Sequence, residues 1–222
     1  INKAIIVCKL LDFSDLEFRM VSTDISTILK NLRKDSKKWP TPVVTEISYQ
    51  LDPFRVLVSC ILSLRTRDVN TKIASKRLFD LADTPQNILR MRAKRVENAI
   101  RPVAFFRKKT LSLYEICRTI INCYNGRVPD TLEQLLKLKG VGRKTANLTL
   151  ILGHGKLGIC VDTHVHRISN RWGYVKTKSP DETELILRKK LPKRFWMEYN
   201  NLVVTFGQNV CRPQSPYCSR CC

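Results

Sequence analysis

Apolar residues along this chain recur at helical spacing, and the two-residue alternation of a strand hardly appears. Ile25, Ile28, Leu29 and Leu32 fall at i, i+3, i+4 and i+7 behind the capping residues Thr23 and Asp24, a pattern that predicts an amphipathic helix. The stretch DPFRVLVSCILSL opens with an aspartate and a proline suited to the N-cap and first helical positions, then is apolar on nearly every side. It predicts a buried central helix, with a buried strand as the alternative. Further helices are predicted from Asp68, from Thr84 and Pro85, and from Lys109 to Tyr124, where Leu113, Cys117, Ile120 and Tyr124 share a face that Gly126 closes. Asp130 with Glu133 carries capping-box spacing before QLLKLKG, and Ser179, Pro180 and Glu182 repeat that signature before LILRKKL. The expected fold class is all-α, with short connections, no low-complexity linker and no long-period repeat. Residues 1–19 lack clear periodicity and begin with Ile, whereas Met20 directly precedes the first convincing helix. Met20 is therefore expected to lie near the natural start, with residues 1–19 a dispensable extension.

Length and charge narrow the picture. A chain of 222 residues with 43% hydrophobic content can bury a core in one large domain or two small ones. Forty Lys and Arg against nineteen Asp and Glu give a formal charge of +21, spread over groups such as RMRAKR, FRKK and RKKLPKR. A polyanionic partner follows, with nucleic acid well ahead of a membrane. No apolar run approaches the roughly 18 residues of a spanning helix, and AIIVC is pinned between Lys3 and Lys9. A cleaved secretory signal is equally poorly supported. Among nine cysteines, Cys211, Cys218 and Cys221 form a tight C-terminal run with Cys222 beside them, which is ligand spacing rather than a disulfide pattern. A reducing, intracellular setting is expected. Cys8, Cys60, Cys117, Cys123 and Cys160 read as buried packing residues.

Two of only eight glycines stand one residue apart in LKLKGVGRKTANLTL. A helix ending near Leu138 and another starting near Arg143 leave Lys139, Gly140, Val141 and Gly142 to turn the chain, so glycine is expected where φ becomes positive. Such a helix-hairpin-helix lets a phosphate approach backbone N–H groups at the positive end of the second helix, which grips a DNA backbone without reading sequence. An ordinary αα-hairpin is the competing reading of an isolated GVG. Lys144 falls in the first turn of the second helix, where the helix dipole, Arg143 and any desolvation disfavour the ammonium form and free an amine nucleophile. By residue type alone, a solvated surface lysine is the ordinary reading. Eighteen residues on, CVDTHVHRISNRWG places Asp162 before a helix with Val165 and Ile168 on one face. Asp162 reads as an N-cap, and a capping carboxylate can also sit near an amine and a developing sugar cation.

These segments, LKGVGRKTANLTL, VDTHVHRISNRWG, ILSLRTRD and CRPQSPYC with its following cysteine, resemble those of the endonuclease III family of DNA base-excision glycosylases with lyase activity, in family order over roughly residues 25 to 222. The resemblance implies a six-helix barrel at 45–156 and a second helical domain from 20–44 and 157–222, with DNA across the cleft between them. It implies that Lys144 attacks the sugar C1′ and that Asp162 assists, removing oxidised pyrimidines from duplex DNA through a Schiff base and nicking by β-elimination. DNA binding is assigned to Lys139, Gly140, Val141, Gly142, Arg143 and Thr145, and to Arg65 and Phe105, which occupy stretches that fill the gap left by a flipped base. The family often has Gln and Leu at those two positions, and Phe105 reads equally well as core. His164 and His166 are further candidates for phosphate or pocket contact. The resemblance makes Cys211, Cys218 and Cys221 ligands of a [4Fe–4S] cluster, with zinc as the physical alternative and the fourth ligand either Cys222 or a residue beyond the chain. The partner expected is double-stranded DNA with damaged bases or abasic sites, bound by a monomer in a prokaryotic cytoplasm, nucleus or organelle. Competing functions are a monofunctional glycosylase for mismatched adenine or thymine and a non-catalytic helix-hairpin-helix module.

Overall fold

The computed structural model describes residues 24–39, 44 and 52–221. Residues 1–19, Met20, Thr23, Cys8 and Cys222 lie outside the described residues, and with them the readings of an N-terminal extension and of Cys222 as a ligand. Every regular element among the described residues is helical, in agreement with the all-α expectation. The chain divides into two compact units, one within Thr41–Cys160 and the other within Ile1–Pro40 and Val161–Cys222.

The first unit is organised around α2 (Pro53–Ser63), and its burial decides between helix and strand. The Asp52 carboxylate accepts from Phe54 N (2.9 Å) and Arg55 N (3.2 Å), Pro53 occupies the first turn, and every residue from Val56 to Leu62 is buried. α3 (Asp68–Phe79), α4 (Pro85–Arg90), α5 (Ala93–Ile100), α6 (Phe106–Tyr124), α7 (Leu132–Leu135) and α8 (Arg143–Leu148) follow, and α8 runs directly into a π-turn at Thr149–Gly153. α2 packs against α3, α6, α8 and the π-turn, while α6 packs against α4 and α5. Leu57, Leu62, Leu78, Ile88, Ile100, Leu113, Ile116 and Ile120 form the shared core. Each such side chain contributes roughly 1.5–3 kcal/mol on burial. Where the π-turn crosses α2, a Cβ on Gly153 would stand 2.7 Å from Pro53 Cα, so only glycine allows that approach.

Two local expectations shift. α6 begins at Phe106 rather than Lys109, and it stops through Asn125 and Gly126, both left-handed (φ 52° and 76°), with Gly126 N donating to Ile120 O at 3.0 Å. The cap of α7 is Thr131, whose hydroxyl accepts from Gln134 N, and not Asp130. Asp130 is drawn instead to Lys156 Nζ at 2.6 Å, a partner that a local capping pattern does not contain.

In the second unit α1 (Ile25–Ser36) is capped by Asp24 as expected, and α9 (Thr163–Arg171), α10 (Pro180–Lys190) and α11 (Trp196–Asn209) complete the long elements. Ser179 caps α10 by accepting from Glu182 N (3.2 Å), while the Glu182 carboxylate accepts from Lys178 N (2.8 Å). α11 is the hub, packing on α1 and α9 with Tyr199, Val203 and Phe206 buried beside Leu29, Leu32, Val165 and Ile168. The Tyr199 hydroxyl meets Ser169 Oγ at 2.9 Å, and its burial pushes the phenol's pKa upward.

Candidate functional site

The turn between α7 and α8 separates the jobs of its two glycines. Gly140 has φ +77°, a left-handed conformation that side chains rarely adopt. Gly142 has φ −92° and ψ 176°, extended backbone open to any residue, so the expectation of a positive φ holds at Gly140 alone. What distinguishes Gly142 is space: a Cβ there would meet nothing within 4 Å. Val141 between them is buried and anchors the turn, with its N–H on Leu138 O at 3.1 Å. Lys139 pairs with Glu115 of α6 (2.8 Å), an exposed pair of small energetic weight. The first i→i−4 bond of α8 runs from Ala146 N to Gly142 O, so the amides of Arg143, Lys144 and Thr145 precede the helical ladder. The Thr145 side chain is buried, which leaves only its backbone to face a ligand.

Lys144 is the second residue of α8 and its side chain is exposed, so its own fold does not supply the desolvation anticipated for it. Its carbonyl accepts from Cys160 Sγ (3.7 Å), which ties this turn to the end of the unit. Beneath it lies Cys60 of α2, fully buried; burial pushes that thiol up to about 12, and the Lys144 charge acts in the opposite direction. Cys117 in α6 is likewise raised to about 12 by burial. Both thiols stay protonated near neutral pH and are therefore poor nucleophiles. In the second unit Asp162 caps α9 through a single oxygen: Oδ1 accepts from His164 N and Val165 N, each at 2.9 Å, and Oδ2 takes no part in the cap.

The two gap-filling candidates share an unusual backbone. Arg65 (φ 53°) and Phe105 (φ 57°) are non-glycine residues in the left-handed region, at a cost on the order of 1–2 kcal/mol each. Both side chains are exposed, Phe105 at 56%, which removes it from the core. Their neighbours are joined by a bond from Ala104 N to Thr66 Oγ1 (3.1 Å). Lys109, which periodicity marks only as the start of a helix, is 7% exposed, and its Nζ donates to Leu62 O (2.7 Å), Leu64 O (2.7 Å) and Thr66 Oγ1 (3.1 Å). The available signal was its register, one turn ahead of Leu113 on the apolar face of α6.

His166 Nδ1 meets Thr183 Oγ1 (2.7 Å), and His164 Nδ1 meets Arg167 (3.0 Å) while packing against Gly207. Both rings therefore have partners inside their own unit. Cys211, Cys218 and Cys221 line one small cavity with Arg171, Trp172, Phe206 and Tyr217. Arg171 donates to Cys211 Sγ (3.4 Å), Arg212 O (2.7 Å) and Pro213 O (2.9 Å), and the Arg212 and Arg220 guanidinium groups lie 4.8 and 5.1 Å from the Tyr217 ring centre. Among the described residues no three potential ligands converge on a single metal ion.

Residues 58–193 match the family described as HhH-GPD superfamily base excision DNA repair protein. Endonuclease III of Thermotoga maritima is 50% identical over 172 residues, covering 78% of this chain and 81% of that protein. The chloroplastic endonuclease III homolog 2 of Arabidopsis thaliana is 40% identical over 177 residues, and this chain spans 46% of its length. Among solved structures, a trapped endonuclease III–DNA covalent intermediate superposes with a TM-score of 0.80 at 33% identity, covering 89% of this chain and 91% of that one. A matched family region over more than half its length and a relative at half identity across most of both proteins show that this chain belongs to the endonuclease III family of the HhH-GPD superfamily.

Proposed function

We propose that this protein is a bifunctional DNA glycosylase and abasic-site lyase that removes oxidised pyrimidines from duplex DNA. The observation that carries the reading is Lys144: an exposed amine in the first turn of a helix entered through an open glycine hairpin, in a family that includes an endonuclease III trapped covalently on DNA. The reacting form is the free amine. Its Nζ lone pair forms a bond to the sugar C1′ as the C1′–base bond breaks, and the base departs with that electron pair and takes up a proton. Loss of a proton from Nζ and protonation of O4′ open the sugar to a protonated Schiff base. Removal of a C2′ proton then expels the 3′ phosphate, and water releases the lysine. Asp162 supplies the assisting carboxylate through the oxygen its cap leaves aside.

The hairpin amides of residues 143–145 hold a backbone phosphate at the head of the helical stretch formed by α8 and its π-turn together. Arg65 and Phe105 fill the duplex gap while the damaged base is extruded. Cys211, Cys218 and Cys221, which line one cavity, would supply three of the four thiolates that a [4Fe–4S] cluster needs, with a fourth ligand completing the set. With that group bound, these cysteines would anchor the loop carrying Arg212 and Arg220 rigidly. The protein works as a monomer inside the cell, on its DNA.

The test is borohydride trapping on a duplex with one oxidised pyrimidine, wild type against Lys144→Ala. A covalent adduct in the wild type alone is expected. Base release without an adduct in the wild type points to a monofunctional glycosylase, and binding without base release points to a docking module.

A further inference from the structure

Arg65 and Phe105 stand forty positions apart in sequence (105 − 65), yet one hydrogen-bonded knot holds the backbone of both. Thr66 Oγ1 accepts from Ala104 N (3.1 Å) and from Lys109 Nζ (3.1 Å), and it donates to Leu64 O (3.2 Å). A hydroxyl has one donor and two lone pairs, and all three are in use. Lys109 Nζ gives its remaining bonds to Leu62 O and Leu64 O, both at 2.7 Å, so the three donors of an ammonium are also in use. A neutral amine would lack the third. The two carbonyls close the C-terminal end of α2, and Lys109 itself begins the ladder of α6 by donating its N–H to Phe105 O (3.0 Å). A buried network whose side-chain donors are all engaged rigidifies the segments it joins.

Left-handed non-glycine residues persist where their surroundings over-determine them. Here Thr66, beside Arg65, binds Ala104, which precedes Phe105, while Lys109 from the first turn of α6 binds both Thr66 and Leu64 on either side of Arg65. We infer that Lys109 and Thr66 are positioning residues that lock the Arg65 and Phe105 loops into a single preformed two-pronged wedge for the gapped duplex. Neither touches DNA on this account. A preformed wedge enters the gap without first losing loop freedom, so the gain appears at the base-extruded stage and not in initial docking. The inference rests on the gap-filling reading of Arg65 and Phe105. Burial brings the Lys109 pKa down to about 8, in keeping with an enclosed strut and not a solvated surface cation.

The deciding variants are Thr66→Val, which keeps the shape and removes the hydroxyl, Thr66→Ser, which restores it, and Lys109→Met. The first readout is excision of an oxidised pyrimidine from duplex DNA under single turnover. The second is fluorescence of 2-aminopurine placed opposite a tetrahydrofuran abasic analogue, which reports displacement of the orphaned base. The third is β-elimination at an abasic site in single-stranded DNA, where there is no gap to fill. Thr66→Val and Lys109→Met are expected to slow duplex excision about tenfold or more and to blunt the 2-aminopurine signal. Single-strand β-elimination should stay within about twofold of wild type, and Thr66→Ser should behave like wild type in all three assays. Unchanged duplex excision in Thr66→Val overturns the inference, and so does an equal loss on single-stranded DNA. If Lys109→Met fails to fold, the two threonine variants decide alone. Arg65→Ala and Phe105→Ala separate the two layers: if neither alters duplex excision or the fluorescence signal, the gap-filling reading falls. If they do and Thr66→Val does not, only the clamp falls.

Discussion

Two lysines in the same unit show how one residue type is put to opposite uses. Lys144 stands exposed on the first turn of α8, while Lys109 is buried in the first turn of α6 with all three donors engaged. Both begin a helix that follows a turn with a left-handed residue, Gly140 in one case and Phe105 in the other. The hairpin leaves its lysine exposed; the other turn encloses its lysine among backbone acceptors. A charged side chain announces little by itself, and what surrounds its nitrogen decides whether it reacts or braces.

Substitution should break this pairing cleanly. Lys144→Ala is expected to reduce strand nicking by more than about a thousandfold, scored on abasic-site DNA. It should move the urea midpoint by less than the equivalent of about 0.5 kcal/mol. Lys109→Met should do the reverse in stability, losing about 2 kcal/mol in the same urea titration because the Leu62 and Leu64 carbonyls lose their donor. A Lys109→Met protein as stable as wild type would dissolve the contrast. The two hairpin glycines sharpen it further. Gly140→Ala should cost about 1 kcal/mol because φ is +77°. Gly142→Ala should leave the melting transition within about 0.5 kcal/mol of wild type yet weaken duplex binding in a salt-dependent assay, since its Cβ fills only the open space before the first turn. A further effect is expected on pH. The Lys109 pKa lies at about 8 in the fold against an ordinary 10.5, so between those values the unfolded chain carries a proton that the native chain has released. Native stability therefore rises as pH climbs through that window. Urea midpoints at about pH 7.5 and about pH 9.5 should show this rise in wild type and not in Lys109→Met.

What was readable in the sequence was local. Asp24, Asp52, Thr84, Asp162 and Ser179 cap the helices their positions imply, because each bonds to amides two or three residues ahead. The place of Lys144 in the first turn of α8 was equally legible, since the glycines that precede it are its sequence neighbours. Asp130 was misread as a cap because its cation, Lys156, is 26 residues away. Lys109 escaped notice for the same reason at greater range: its acceptors lie 43 to 47 residues earlier. Gly142 shows a different limit, as conformational need and steric access both call for glycine and only the φ value separates them.

The uneven chemistry of the thiols has a practical consequence. Cys60 and Cys117 are held near 12 by burial, so a maleimide at neutral pH meets almost no thiolate at either site. Cys123, expected from the sequence to be a buried packing residue, is instead exposed on the last turn of α6, because it lies off the apolar face of Leu113, Cys117 and Ile120, on the same helix whose first turn holds Lys109 and follows Phe105. A fluorophore attached there, once Cys8 and Cys222 are replaced and the C-terminal thiols are protected, needs no engineered cysteine, and it rides on the helix that carries Lys109. Its anisotropy or quenching on addition of gapped duplex would follow that helix during the search for damage.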